Sequence, residues 1–264
     1  MSVEDIGVEY MAVDKISYID VIYPREEREY FVNREDIFNK LEYELDRARA
    51  GELRIVGLIG VRRCGKTLII KEFLRRIWND QSIVRIYMDF ESFPEAPYDF
   101  VDRFFSWIMY WIITGGAEYP ERFFSMDIIS RFIEESKDRF LGEVYRDFIL
   151  ARELDAKVRI ALRPIVHSKK PVVMILDELQ DCIESLSKAG IDFLGISREM
   201  VRSHTLIILS GSIRNIMDEV LSSYTERFFL QGSRLDLEPF TLRDVWSLVE
   251  KIWRKPVKGS VAGR

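Results

Sequence analysis

The 264-residue sequence predicts an α/β fold: a five-stranded, mainly parallel sheet flanked by helices, with a helical insertion between the second and third strands. Three observations carry that expectation. The first is Gly60-Val61-Arg62-Arg63-Cys64-Gly65-Lys66-Thr67, which fits the spacing G-x-x-x-x-G-K-[ST] and lies between an apolar run and an apolar-periodic segment. The second is a set of five short apolar runs of the kind that form buried parallel strands. The third is a gap of about 80 residues after the second run, where a crossover needs only about a dozen, so the gap must hold several helices.

Residues 1–20 have no strong period, and 1–30 read as an N-terminal extension. Residues 16–23 are expected as an added edge strand and 24–29 as a polar turn. A helix then starts at Asn33 as N-cap, with Asp36 as an imperfect capping partner. It lines up Ile37, Leu41 and Leu45 on one face and stops at Gly51. Residues 53–59 form the first strand, and the helix after the glycine loop begins near Gly65 and runs to Trp78. Residues 83–90 are the second strand. The insertion, about 91–170, divides into helices near 98–114, 121–138, 140–152 and 155–167, punctuated by Pro94, Pro97, Pro120 and Gly115-Gly116.

The longest apolar run, 104–114, is too short to cross a bilayer, which takes about 20 residues. It is expected as a core helix, with a membrane-surface or partner helix as the alternative. Residues 171–178 are the third strand, 191–203 a helix, 205–210 the fourth strand, 212–221 a helix and 234–237 the fifth strand. A helix over 241–249 is capped by Thr241 with Asp244 three residues on, and the last ten residues are polar and expected to fray. The absence of a repeat or a low-complexity linker favours one α/β unit.

The chain carries 39 basic and 44 acidic residues, a net charge of -5, which opposes bulk electrostatic binding of nucleic acid and leaves room for a local basic patch. Two cysteines, Cys64 and Cys182, and two histidines, His167 and His204, offer no zinc-ligand spacing. The acidic stretch 1–14 lacks the order of a signal peptide, so a reducing, cytoplasmic location is expected.

The loop has a specific chemistry. Gly60 and Gly65 permit backbone angles costly for other residues, and their missing side chains let N–H groups wrap a phosphate. The helix N-terminus adds its own N–H groups and positive dipole end. Lys66 is expected to reach the β- and γ-phosphates of ATP, and Thr67 to place its hydroxyl on Mg²⁺. The bland alternative is an ordinary glycine-containing turn. Five apolar residues followed by Asp177-Glu178 form a second signature: Asp177 for the Mg²⁺, Glu178 for the attacking water, both at the carboxyl end of a strand, with a buried strand that merely ends in acids as the alternative. Ser210 and Ser212 are sensor candidates or helix caps. Arg62 and Arg63 either pack over phosphate, contact a neighbour or remain solvated. Cys64 is either an activated thiol beside a helix N-terminus or an inert filler under the loop.

These pieces, with others in the same order, resemble the archaeal ATPase family of the signal-transducing ATPase class, related to AAA+ proteins. The paired arginines of 60–67 are joined by Phe31-Val32-Asn33-Arg34-Glu35, Leu176-Asp177-Glu178-Leu179-Gln180, Leu209-Ser210-Gly211-Ser212 and Leu237-Glu238-Pro239-Phe240-Thr241. The resemblance spans 31–245 and implies a strand order 5-1-4-3-2. It places Arg34 near the adenine and Val61 and Leu68 among the nucleotide-binding residues. It also makes 31–240 the ATPase domain and 241–264 the start of a truncated helical lid and tail, as in a short variant, the first half of a split gene or a decaying copy. Gln231-Gly232-Ser233-Arg234 departs from the family pattern by one residue, so Arg234 is a displaced sensor candidate. The implied activity is Mg²⁺-dependent ATP binding and slow hydrolysis, used as a switch or to remodel a protein partner or another copy of the chain. A nucleotide-dependent binding module, or a DNA-loading ATPase without its DNA-binding domain, is the alternative.

Overall fold

The structure is a computed structural model, and it describes residues 17–32, 34–116, 125–211 and 232–253. Five strands, β1 (Leu53–Gly60), β2 (Val84–Asp89), β3 (Val172–Asp177), β4 (Thr205–Gly211) and β5 (Gly232–Leu237), pair in the order β2-β3-β4-β1-β5. Each of the four pairings is parallel, and the order is the expected 5-1-4-3-2 read from the other edge. The three inner strands β1, β3 and β4 are buried almost throughout, as the continuous apolar runs require.

Eleven helices among the described residues are used below: α1 (Tyr18–Ile22), α2 (Arg25–Arg28), α3 (Glu35–Arg49), α4 (Lys66–Arg76), α5 (Pro97–Thr114), α6 (Met126–Ser136), α7 (Arg139–Leu150), α8 (Leu154–Val166), α9 (Gln180–Lys188), α10 (Phe193–Met200) and α11 (Leu242–Trp253). Helices α5 to α8 are the insertion between β2 and β3. Helix α5 is a core helix: Phe104, Phe105, Ile108, Tyr110 and Trp111 are fully or almost fully buried. Trp111 Nε1 also donates to the Tyr87 carbonyl at 2.9 Å, which covers part of the β2 edge. No described helix is long and apolar enough to cross a membrane.

Three expectations are corrected. Where an edge strand is expected over 16–23, Tyr18–Ile22 form a helix, α1. Tyr18, Ile19 and Tyr23 are buried while Val21 is exposed, which is one helical face and not an alternation. The aromatic cluster of α5 decides it: Tyr18 meets Trp107, Tyr110 and Trp111 at 5.7 to 6.1 Å between ring centroids. The polar turn at 24–29 contains a single helical turn, α2, begun after Pro24. The helix expected over 191–203 is α10, shorter, and opened by Asp192, whose side chain accepts from the Gly195 N–H. A second helix, α9, comes before it, in a stretch with no assigned element. The expected cap Asn33 and the expected helix 212–221 lie outside the described residues.

A buried ion pair ties α3 to the β1–β5 side of the sheet. Arg54 on β1 donates to Glu44 on α3, both nearly inaccessible, and Ser233 on β5 donates to the same carboxylate. Helix α3 is thereby tied to β1 and β5, the two strands that carry the glycine loop and its neighbour.

Candidate functional site

The glycine loop leaves the carboxyl end of β1 and enters α4. Gly65 has φ of +94°, the left-handed region that costs a residue with a Cβ. Gly60 is required for space: a Cβ there would stand 2.5 Å from Cys64 Sγ and 3.1 Å from the Leu237 carbonyl oxygen. The two loop glycines thus have different reasons, one torsional and one steric. Arg63 adopts φ of +67°, a strained value for a non-glycine residue in a tight loop.

Lys66 opens α4 and is buried, with Nζ donating to the carbonyls of Gly60 at 3.1 Å and Val61 at 3.4 Å. The ammonium is held against the loop itself. Val61, Arg62 and Arg63 are exposed, Thr67 is half-buried and Leu68 is exposed on the outer side of the helix. Cys64 is half-buried with its sulfur tucked toward Gly60, the position of a small filler under the loop.

Thr67, the second residue of α4, sets its hydroxyl against Asp177 at the end of β3 and favours the charged form of that carboxyl. Ser210, at the end of β4, donates to the same carboxylate at 2.6 Å. The glycine loop, Asp177 and Ser210 therefore meet at one place on the carboxyl edge of the sheet. Asp177 is buried, and burial pushes its carboxyl above the ordinary range, against the hydrogen bonds from Ser210 and Thr67. Glu178 follows with φ of +52°, half-buried, where the chain turns from β3 toward α9. Leu179 N–H donates to the Ser210 carbonyl at 3.2 Å, which pins that turn to β4.

Of the remaining expected residues, Arg34 donates through Nη2 to the Glu238 carbonyl at 2.8 Å and stacks on Phe240, 4.8 Å from the ring centroid. It links the start of α3 to the stretch after β5. Arg234 stands beside Gly57 in the β1–β5 register, three positions before the pair Gly60 and Leu237, and donates to Asp236. Ser212 lies outside the described residues.

A residue that the sequence reading passed over stands next to Asp177. Asp89 ends β2 and is in register with Asp177 across the β2–β3 pair. Burial is the main reason its carboxyl is pushed up, and the Asp177 charge adds to it. An aspartate at the end of an apolar run was the only signal in the sequence. A cavity of about 650 Å³ opens at the opposite end of the sheet between α8 and α10. Its Arg159 is paired with Glu199 at 2.8 Å, and its Arg202 donates to the Glu199 backbone carbonyl.

The donor set suits a nucleotide and a hard cation. Thr67 hydroxyl and Asp177 carboxylate are oxygen ligands of the type Mg²⁺ takes, and Gly60 keeps a cradle that a Cβ would fill.

No family model matches the sequence, and no curated protein matches it. Solved structures do. The ORC1 protein of Aeropyrum pernix, in complex with DNA, is similar with a TM-score of 0.54 at 15% identity, over 90% of this chain and 55% of that one. Cdc6p from Pyrobaculum aerophilum is similar with a TM-score of 0.47 at 12% identity, over 88% of this chain and 52% of that one. The ORC2 protein of Aeropyrum pernix, in ADPNP–ADP complexes, gives 0.46 at 12%, over 85% and 54%. The chain spans about half the length of the solved structures it matches. At this identity the ORC1 likeness carries the fold, a parallel five-stranded sheet with flanking helices, and nothing of the activity.

Proposed function

We propose that the chain binds Mg²⁺–ATP through residues 60–67 and hydrolyses it slowly, using the nucleotide as a switch or to act on a partner, as the archaeal ATPases it resembles do. The observation that carries this reading is the meeting of the glycine loop, Thr67, Asp177 and Ser210 at one edge of the sheet. The α4 N-terminus and the loop N–H groups would take the phosphates. Lys66 would turn from the loop carbonyls to the β- and γ-phosphates, and Thr67 and Asp177 would hold the cation. The bound Mg²⁺ would supply charge neutralisation on the phosphoryl oxygens. Glu178 would orient the water, and Ser210 keeps Asp177 in place. Catalysis of this kind is positioning and electrostatics.

Arg34 and Phe240 would border the adenine, Ser212 and Arg234 remain candidates for sensing nucleotide, and 241–264 would open a helical lid on the 31–240 domain. The DNA that the ORC1 protein binds in its complex suggests a second reading, DNA loading, which the net charge of -5 opposes.

One titration series tests the proposal. Lys66→Ala should weaken Mg²⁺–ATP binding at least about tenfold, or about 1.4 kcal/mol, while Glu178→Gln keeps binding and loses turnover. Equal binding curves for Lys66→Ala and parent would overturn the site. Turnover by Glu178→Gln at the parent rate would overturn its role, and a parent that binds without turnover would leave a nucleotide-dependent binding module.

A further inference from the structure

We infer that Asp89 is a second positioning carboxylate for the divalent cation, acting through the cation's water shell, and that Lys71 opposes it. This rests on the reading of the site given above.

The geometry is the register of the sheet. Asp89 and Asp177 are Cα partners on adjacent parallel strands, so their side chains leave the sheet on the same face. That face is the α4 side, because Asp177 meets Thr67 there. Lys71 is one helical turn beyond Thr67 on α4, and its charge acts on Asp89. Helix α4 thus presents Thr67 and Lys71 in sequence to Asp177 and Asp89. Lys71 is shared: its Nζ is also 3.9 Å from Glu27 Oε2 on α2.

Two carboxylates at neighbouring strand ends, Asp177 buried and Asp89 half-buried, repel each other. Asp177 is supplied with hydroxyl donors from Thr67 and Ser210, while Asp89 receives the Glu91 N–H at 3.1 Å and the partly diverted charge of Lys71. Neither set of partners neutralises two charges. A divalent cation placed at Thr67 and Asp177 would. Mg²⁺ gives up its waters reluctantly and is commonly held by one or two carboxylates, with further groups accepting from its bound water. Asp89 is placed for that outer position. Lys71 would compete with the cation for the same negative potential.

The signs of the two substitutions separate this role from a structural one. Asp89→Asn keeps the shape of the side chain and an oxygen for the Glu91 N–H. It should raise the Mg²⁺ concentration for half-maximal ADP or ATP binding about tenfold, and weaken Mn²⁺ binding to the nucleotide complex, read by electron paramagnetic resonance. Nucleotide binding in chelator should stay within about twofold of the parent. Lys71→Met should move the metal requirement the other way, to lower Mg²⁺. A loss of folding in either variant would appear in circular dichroism, and the other variant then carries the test. Unchanged metal dependence in both, or a shift of the same sign in both, overturns the inference. Failure of the underlying site has a different signature, because Lys66→Ala would then bind Mg²⁺–ATP as the parent does.

Discussion

Leu237 pairs with Gly60 in the sheet and four residues separate it from helix α11, which starts at Leu242, yet the surroundings of Gly60 and that helix are built by opposite rules. Around Gly60 each group is held from several sides. Lys66 is tied to the loop, Asp177 to α4 and to β4, and Gly60 has no room for a methyl group. Helix α11 is set by its own sequence. Thr241 and Asp244 form a reciprocal cap, with Thr241 N–H donating to Asp244 at 2.9 Å and Asp244 N–H donating to Thr241 Oγ1 at 3.2 Å. Lys251 reaches the Phe31 carbonyl. Its apolar stripe faces solvent, with Leu242 82%, Trp246 67% and Trp253 87% exposed. The surroundings of Gly60, proposed above to take phosphate, are over-determined by tertiary contacts. A helix whose apolar face is uncovered is determined locally, and its placement rests on few contacts with the sheet.

The contrast can be broken most forcefully at Gly60. Gly60→Ala sets a methyl group against Cys64 Sγ and the Leu237 carbonyl. The sulfur can rotate away but the backbone carbonyl must move with β5. Overpacking of this kind costs about 1–3 kcal/mol, and nucleotide affinity should fall with it. Chemical denaturation of Gly60→Ala and of the double variant with Cys64→Ala separates the two contacts. Partial recovery in the double variant is expected. Parent-like stability for the single variant would show that the loop is not as tight as drawn.

Asp177 tests the same region from the side of charge. Burial holds its carboxyl above the ordinary range in the folded chain, so the folded state keeps that proton to higher pH than the unfolded state does. Stability from this group is greatest at low pH and falls as pH rises through the folded value. Asp177→Asn removes that loss. The melting temperature of the variant relative to the parent, both without nucleotide, should therefore climb by a few degrees between about pH 4 and pH 7, while Mg²⁺-dependent nucleotide binding is lost. A difference that is flat with pH would mean that Asp177 is not strained by its burial. The site would then be stable for its own sake and not at a cost to the fold.

What the sequence disclosed follows the same division. The glycine loop, β3 with its two acids, and the cap at Thr241–Asp244 are patterns of adjacent residues, and each can be read without knowing the fold. Helix α1 could not be read that way, because Tyr18, Ile19 and Tyr23 are placed by aromatic side chains of α5 roughly ninety residues away. Helix α9 has a short, polar-rich sequence directly after Glu178, with few apolar residues to mark a helical face. Asp89 is the clearest case. One acid at a strand end signals nothing until the register of β2 on β3 sets it beside Asp177. The separation of Arg234 from the loop is likewise a matter of register with Gly57.

The smallest expected effects belong to α11, and their order runs counter to side-chain size. Trp253 is the larger side chain, but it is 87% exposed, so Trp253→Ala should leave stability within about 0.5 kcal/mol of the parent. Thr241 is a small residue whose hydroxyl both accepts from the Asp244 N–H and donates to the Asp244 carboxylate at 2.7 Å. Thr241→Ala removes the cap and should cost the helix about 1 kcal/mol. Because α11 makes few contacts with the sheet, that cost should remain local. Amide hydrogen exchange would report it as faster exchange along α11, with β1 and α4 unchanged, while the global unfolding midpoint barely moves. If Thr241→Ala instead speeds exchange in β1 or β5, the helix is coupled to the sheet through Phe240 and Arg34 more strongly than its exposure implies. If Trp253→Ala costs more than the loss of the cap, the apolar stripe is covered in solution, and the contrast between the two regions would lie in what covers α11 and not in how it folds.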